Sequence, residues 1–320
     1  MNKKLRFGIL STAKIAREHV IPAIQQSRYA EVTAIASRNI DQARAVAKEA
    51  GIPAWYGSYE ALLGSPEIDA IYNPLPNHLH VPWSLRAMEK GKHILCEKPI
   101  GTDSRDACSL LEASRAYPDV YIMEAFMYRF HPRWIDVRKC IEDGHIGQPI
   151  MLHAFFSFFN DDPKDIRNKY ASQGGGGLLD IGCYCVSCAR MVFGEEPKSV
   201  SGSLFNDPSS GVDYIASGVL TFSKGTSVFS CSMRSPFHQY VKIFGTKGHI
   251  YLDHPFNPPA DQSVHMELYD GEQTVRRSYA PCNQFTLQAD GFAEAVLNKQ
   301  PVPFPLEDAV SNMDVLSKLA

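Results

Sequence analysis

Apolar and polar positions along the first 120 or so residues fall into two alternating rhythms. LRFGIL (5–10), EVTAIAS (31–37), IDAIYN (68–73), HILCE (93–97) and VYIMEAF (120–126) are short apolar runs of the kind that form buried strands. Between them, AKIAREHVIPAIQQS (13–27), NIDQARAVAKEAG (39–51), SYEALLGS (58–65), HVPWSLRAMEKG (80–91) and DSRDACSLLEASRAY (103–117) carry apolar residues at helical spacing. Gly51 and Gly91 close two of these helices, and Pro22 predicts a kink in the first. Strand–helix alternation with short connections predicts a doubly wound parallel sheet with helices on both faces.

The rhythm changes after residue 125. A helix over HPRWIDVRKCIEDG (131–144) leads to a strand, IMLHAFFSFF (150–159). A polar loop and the glycine run 174–177 then open a helix over LLDIGCYCVSCARMVF (178–193). SVSGSLF, YIASGVLTFS, TSVFSCSMRS, QYVKIFGT, HIYLD and VHMELYD follow as strands, some joined by turns such as SKGT and GTKG, and predict an antiparallel sheet. Two helical stretches, 285–298 and 307–320, close the chain. The fold class is therefore α/β, with a dinucleotide-type domain over 1–124. An α+β domain with a large, mostly antiparallel open sheet is expected over 125–320. One face of such a sheet needs covering, and self-association is one way to cover it.

Composition narrows the field. The chain has 320 residues, enough for two domains with separate cores. Its net charge of -3 gives no polyanion-binding surface, so no nucleic-acid partner is expected. No window approaches 18 uninterrupted apolar residues and MNKKLRFGIL lacks the features of an export signal, so a cytoplasmic protein with no membrane partner is expected. The eight cysteines then read as reduced thiols, and Cys183, Cys185 and Cys188 as buried packing residues rather than metal ligands.

Chemistry concentrates at the predicted strand ends. In a G-x-G-x-x-G/A fingerprint, glycines permit a tight turn and let the backbone approach a pyrophosphate. Here the three positions are Ser11, Ala13 and Ala16. Small residues keep a nucleotide-binding turn feasible, and a plain strand-to-helix turn explains them equally. At the second strand end, Ser37 and Arg38 stand where an NAD enzyme carries an acid. Arginine attracts a 2′-phosphate, so NADP is the expected cofactor, with NAD possible. At the third, NPLPNHLH (73–80) presents Pro74, Leu75, Asn77 and His78 along the ligand edge, with Asn77 as a helix cap and His78 as helix-start packing or a cofactor contact. At the fourth, Glu97 and Lys98 leave the strand together, and Lys98–Pro99 is a candidate cis peptide.

These pieces in this order resemble the Gfo/Idh/MocA oxidoreductases over nearly the whole chain. The features that carry the resemblance are the Ser37–Arg38 pair, PxPNHLH, EKP and GGGGLLDIGCYCV. MEAFMYRFHP (123–132), DIRNKY (165–170) and a tyrosine in LLDIGCYCV are similar to the branch with dimeric dihydrodiol dehydrogenase, NADP-dependent D-xylose dehydrogenase and glucose-fructose oxidoreductase. The resemblance implies an N-terminal Rossmann domain and a homodimer or homotetramer formed through the C-terminal sheet. It implies that Lys98 is catalytic and that Tyr184 stands where much of the family has histidine as acid/base. Members generally run past a helix like the one ending LSKLA, which implies a shortened tail.

The implied reaction is hydride transfer between NADP and a sugar or cyclic polyol: an aldose such as D-xylose, a trans-dihydrodiol or a keto-sugar. Lys98 and Tyr184, from different halves of the chain, are expected to meet over the nicotinamide. Asp180, four residues before Tyr184 on one helix face, accepts hydrogen bonds from substrate hydroxyls or positions Lys98. The glycine run is read as room for substrate or nicotinamide at the helix start. Arg167 is a substrate or cofactor contact, and Arg129 and Phe130 shape the pocket. Ser11, Thr12, Ala13, Lys14 and Ile15 form the nucleotide turn, with Ser37, Arg38, Pro74, Leu75, Asn77, His78, Glu97 and Lys98 along the cofactor edge. A nucleotide-sensing regulator and a redox-assisted glycoside-cleaving enzyme are the alternatives. Retention of Lys98, Asp180 and Tyr184 speaks against the regulator.

Overall fold

The computed structural model describes residues 3–320, which divide into two compact units. The first unit comprises residues up to Met127 together with Asn283–Val310, and the second comprises Tyr128–Cys282 and Ser311–Ala320. A single boundary at 124/125 therefore misplaces one element. The helix Gln284–Asn298 packs on the first unit's sheet, with Phe292 6.0 Å from Phe7 between ring centroids. Asp290 Oδ1 accepts hydrogen bonds from Ser27 Oγ (2.5 Å) and the Arg28 amide (2.9 Å). Local sequence patterning marks such a helix but not the sheet it covers.

The first unit holds a six-stranded parallel sheet. Its strands are β1 (Leu5–Leu10), β2 (Ala30–Ala36), β3 (Ala54–Tyr56), β4 (Ala70–Asn73), β5 (His93–Cys96) and β6 (Ile122–Glu124). The order β3-β2-β1-β4-β5-β6 reverses direction between β1 and β4. Beyond the carboxyl ends of those two strands lies the crevice in which open α/β sheets hold ligands. Phe7, Ile9, Ile35, Ile71, Tyr72 and Leu95 are buried on the sheet, as continuous apolar strands require. Helix Ile40–Ala50 starts where Asn39 Oδ1 accepts the Asp41 and Gln42 amides, and ends at Gly51 in the left-handed region.

The first helix departs from its predicted form. It contains a π-helical turn, Ala16–Val20, followed by an α-helix, Ile21–Gln25, with Pro22 in that helix's first turn. The irregularity thus lies on the amino-terminal side of the proline. Asn77 also differs from expectation. Asn77–Leu79 forms a 3-10 turn, and the helix His80–Glu89 has Leu79 at its cap position with no side-chain cap.

The second unit is built on an eight-stranded sheet. Its strands are β7 (Pro149–Phe159), β8 (Ser199–Asn206), β9 (Asp213–Thr221), β10 (Thr226–Ser232), β11 (Arg234–Gly245), β12 (His249–Asp253), β13 (Val264–Tyr269) and β14 (Thr274–Tyr279). The order is β14-β13-β12-β11-β7-β10-β9-β8, antiparallel except for the β7–β10 pair. Helix Cys183–Phe193, preceded by a π-helical turn at Leu178–Gly182, packs on one sheet face, with Cys183, Cys185 and Cys188 buried beneath it. The helical stretch Ala171–Phe193 has the length and composition to cross a membrane, but 78% of its apolar window is buried inside the protein.

The other face is more open, and the strand register sets its pattern. Val228, His153, Lys242, Tyr251, Glu267 and Arg276 form one transverse row of half-buried to exposed side chains. Phe155 and Tyr240 stack beside it with centroids 5.9 Å apart.

Candidate active site

Each unit brings one set of the expected residues together. In the first, β1 ends in a tight turn with Ser11 at φ +83°, the conformation that glycine would supply in the fingerprint. Ser11 donates its amide to Ala36 O (2.9 Å), and its hydroxyl accepts the Ala13 amide (3.2 Å), closing the turn on itself. Thr12 O accepts Arg17 Nε (3.1 Å), Lys14 is exposed, and Ile15 is half-buried. The first amides of a helix lack intrahelical acceptors, so this turn can receive an anion. At the end of β2, buried Ser37 donates its amide to Tyr56 O (3.1 Å) and accepts the Asn39 amide (3.2 Å). Arg38 is exposed, and burial pushes up the phenol of Tyr59 near it.

The ends of β4 and β5 are tied to each other. Glu97 donates its amide to Asn73 O (3.0 Å). Its carboxylate accepts the Tyr72 hydroxyl (2.6 Å) and the Lys98 amide (3.3 Å). The Lys98–Pro99 bond is cis, as its sequence context suggested. Buried His80 joins the two segments: Nδ1 lies 2.7 Å from Pro99 O and Nε2 2.7 Å from Leu75 O. Two carbonyl acceptors favour a doubly protonated ring. Burial, aided by the nearby Lys98 and His78 charges, opposes this and brings the imidazole down to about 4. Buried Glu124 supports the same segment by accepting the Ile100 amide (2.7 Å). Pro74 and Leu75 are buried, whereas Asn77 and His78 are half-buried.

The second unit gathers Arg167, Asp180 and Tyr184. Arg167 Nε lies 2.9 Å from Asp180 Oδ2, and Nη1 lies 3.0 Å from Asp165 Oδ2. Asp180 is the main reason that the Arg167 pKa is raised. The Tyr184 ring is buried among Tyr128 (5.9 Å between centroids), Phe156 (5.7 Å) and Phe256 (5.3 Å). Buried Arg129 donates from Nη2 to Ser187 Oγ (2.7 Å), which also meets the Tyr128 hydroxyl at 2.7 Å. Phe130 is half-buried in the short turn Met127–Phe130.

Two expectations about this helix need correction. The Asp180–Tyr184 spacing assumed a regular α-helix. Asp180 instead lies in a wider π-helical turn and Tyr184 in the following α-helix, so their alignment is not the usual four-residue one. Single π-helical turns concentrate at functional sites, and the other one among the described residues follows the Ser11 turn. The space at the glycines is also taken up by the protein itself. A Cβ at Gly176 would collide with Asp213 Oδ1, and one at Gly175 would meet Arg167 O at 2.8 Å.

Sequence reading missed His80, Glu124, Tyr128 and Asp213. His80 stands two residues from His78 in a stretch already singled out. Asp213 carries no local signal. Its Oδ2 accepts the Leu178 amide at 2.6 Å, and burial pushes its carboxyl up to about 6.

A parallel sheet with a strand-order reversal and a tight turn after its first strand define an architecture of the dinucleotide-binding type. Residues 5–125 match the model of the oxidoreductase family NAD-binding Rossmann fold, and residues 134–251 match the GFO/IDH/MocA C-terminal domain. The chain belongs to the Gfo/Idh/MocA oxidoreductase family. It is 42% identical over 321 residues to an uncharacterized oxidoreductase, ORF334, of Rhizobium meliloti, covering 98% of this chain and 96% of that one. It is 35% identical to D-xylose 1-dehydrogenase (NADP(+)) 2 of Haloferax volcanii, again covering 98% and 96%. Among solved structures it resembles KijD10, a 3-ketoreductase from Actinomadura kijaniata in complex with NADP and TDP-benzene. The TM-score is 0.92 at 30% identity, covering 99% of this chain and 97% of that one.

Proposed function

We propose that this protein is an NADP-dependent oxidoreductase acting on a sugar or cyclic polyol, with D-xylose and related aldoses as the first substrates to test. The observation that carries the reading is the pairing of Arg167 with Asp180 at the head of the helix bearing Tyr184. A carboxylate held there by a guanidinium is suited to accept hydrogen bonds from sugar hydroxyls. The likeness to an NADP-linked D-xylose dehydrogenase over almost the whole chain supports the same substrate class.

The residues of the first unit fit NADP. Ser11, Thr12, Ala13, Lys14 and Ile15 form the turn that receives the pyrophosphate. Ser37 and Arg38 take the 2′-phosphate, with no carboxylate at either position to repel it. Pro74, Leu75, Asn77, His78, Glu97 and Lys98 line the nicotinamide edge, and Arg167 is a further contact. When bound, NADP carries the hydride to or from the substrate carbon.

Lys98 and Tyr184 carry the proton and charge chemistry. In reduction the Tyr184 hydroxyl gives its proton to the carbonyl oxygen, and in oxidation its oxygen takes a proton from the substrate hydroxyl. The Lys98 ammonium polarises the carbonyl or stabilises the alkoxide. A free tyrosine hydroxyl loses its proton near pH 10, so a cation is needed for it to act as a base, and the proposal gives that role to Lys98. Arg129 and Phe130 shape the sugar site. Solved structures of KijD10 include a lysine-to-alanine and a tyrosine-to-phenylalanine variant of that enzyme, each with TDP-benzene and NADP.

The aromatic and charged row on the second unit's open sheet face supports self-association into a homodimer or homotetramer, to be read by sedimentation. The eight unbridged thiols support a reducing, cytoplasmic setting. The test of function is a panel of aldoses and diols with NADP and NAD, read by reduced-nicotinamide absorbance. Net turnover with NADP and a sugar supports the proposal. Product release without net cofactor turnover, or no turnover with any member, removes it.

A further inference from the structure

The glycine run 174–177 suggests an opening for a ligand, yet the space beside Gly176 belongs to Asp213. Gly176 has φ +110°, a conformation that side chains rarely adopt, and a Cβ there would collide with Asp213 Oδ1. Asp213 Oδ2 accepts the Leu178 amide at 2.6 Å and lies close beside Gly177. Gly176 in turn donates its amide to Arg167 O (2.9 Å) and accepts the Asp180 amide (3.1 Å). One carboxylate thus sits behind the turn from which both members of the Arg167–Asp180 pair are presented.

We propose that Asp213 is a positioning residue for the reaction. Seated where a Gly176 side chain would be, its carboxylate anchors the glycine turn and so fixes Asp180 and Arg167 toward the substrate. The proposal rests on the reading that Asp180 serves hydride transfer to or from a sugar. Ionised Asp213 anchors the turn through charge-assisted hydrogen bonds, and protonation weakens them. The groups around it are Asp180 on the following helical turn and the Cys231 thiol on β10. Arg167 pairs with Asp180, and Arg234 begins β11 with its guanidinium 6.0 Å from the Tyr214 ring. Burial is the main cause that raises the Asp213 carboxyl, and repulsion by Asp180 adds a smaller share, so it titrates at about 6, within the working range of an enzyme.

The test has two arms, and the first needs no substrate. The Asp213 carboxyl carbon is followed by NMR against pH in the whole chain and in Asp180→Asn. The expected midpoint is near 6 and moves only slightly down in the variant, because burial is the main cause. A midpoint in the ordinary carboxylate range in the whole chain overturns the proposal.

The second arm compares Asp213→Asn with the unaltered chain for NADPH formation from D-xylose and NADP. The amide keeps one acceptor oxygen but cannot titrate. The acid limb of kcat/KM is expected to move down by about half a unit or more, and the plateau to fall about threefold or more, mainly through KM. A pH profile that superimposes on the original after scaling means that Asp213 only supports the fold, and overturns the proposal. If the unaltered chain does not turn over D-xylose, the substrate reading fails, and the first arm alone decides the role of Asp213.

Discussion

Arg167 Nε stands 2.9 Å from Asp180 Oδ2, although the Arg167 side chain remains 44% accessible. An ion pair this open contributes little to stability. Its value is directional: the guanidinium fixes which way the carboxylate faces. Arg167→Ala is expected to lower kcat/KM for the sugar by about tenfold or more, mainly through KM, while thermal stability barely changes. Arg167→Lys should recover only part of the loss, because an ammonium lacks the planar fork. Steady-state kinetics beside a melting curve checks both.

Arg38 is exposed at the end of β2 beside buried Ser37. With the guanidinium removed, a 2′-phosphate loses its cation while NAD loses nothing. Arg38→Ala should weaken NADPH binding by about tenfold or more and leave NADH binding within about twofold, measured by fluorescence titration. Equal losses for the two cofactors would show that Arg38 does not read the phosphate.

Gly176 and Gly194 both have positive φ, but only Gly176 has a neighbour in the space of its missing side chain. Gly194→Ala should cost about 1 kcal/mol from backbone conformation alone. Gly176→Ala adds a collision with Asp213 and should cost about 2–4 kcal/mol. Denaturant unfolding of the two variants side by side measures the difference.

Acid should destabilise the fold before ordinary carboxylates titrate. His80 and His131 are buried, and burial brings each down to about 4. A histidine whose pKa is lowered in the fold contributes stability that is complete above about pH 6.5 and lost as pH falls toward 4. Asp213 has the opposite sign: raised to about 6, it costs stability as pH rises through that value. Two histidines outweigh one carboxylate, and a net loss of about 2 kcal/mol is expected between pH 7 and pH 5. Denaturation midpoints at those two pH values check it. A midpoint that rises at pH 5 would mean that the imidazoles are already protonated at pH 7.

What the sequence reveals depends on how local the physics is. β1, β2, β4 and β5 were legible because buried parallel strands are apolar throughout. β14 was missed because TVRRSY is a mostly exposed edge strand with no buried alternation, and β3 because it is only three residues long. The π-helical turns at Ala16–Val20 and Leu178–Gly182 leave little trace in apolar spacing. Ser11, Lys98 and Asp180 stand out in the sequence from motif and strand end, and they are the residues proposed for the site. Asp213 does not, because the Leu178 amide it holds is 35 positions away in the chain. His80 was passed over because its work is to join two carbonyls that only the fold brings near it.

The most direct measurement is the rate of NADPH formation from an aldose substrate by Lys98→Ala and Tyr184→Phe, each first shown to fold and to bind NADPH normally. The account predicts that both rates fall by about a hundredfold or more, with the loss in kcat. Near-normal rates in both variants would contradict it.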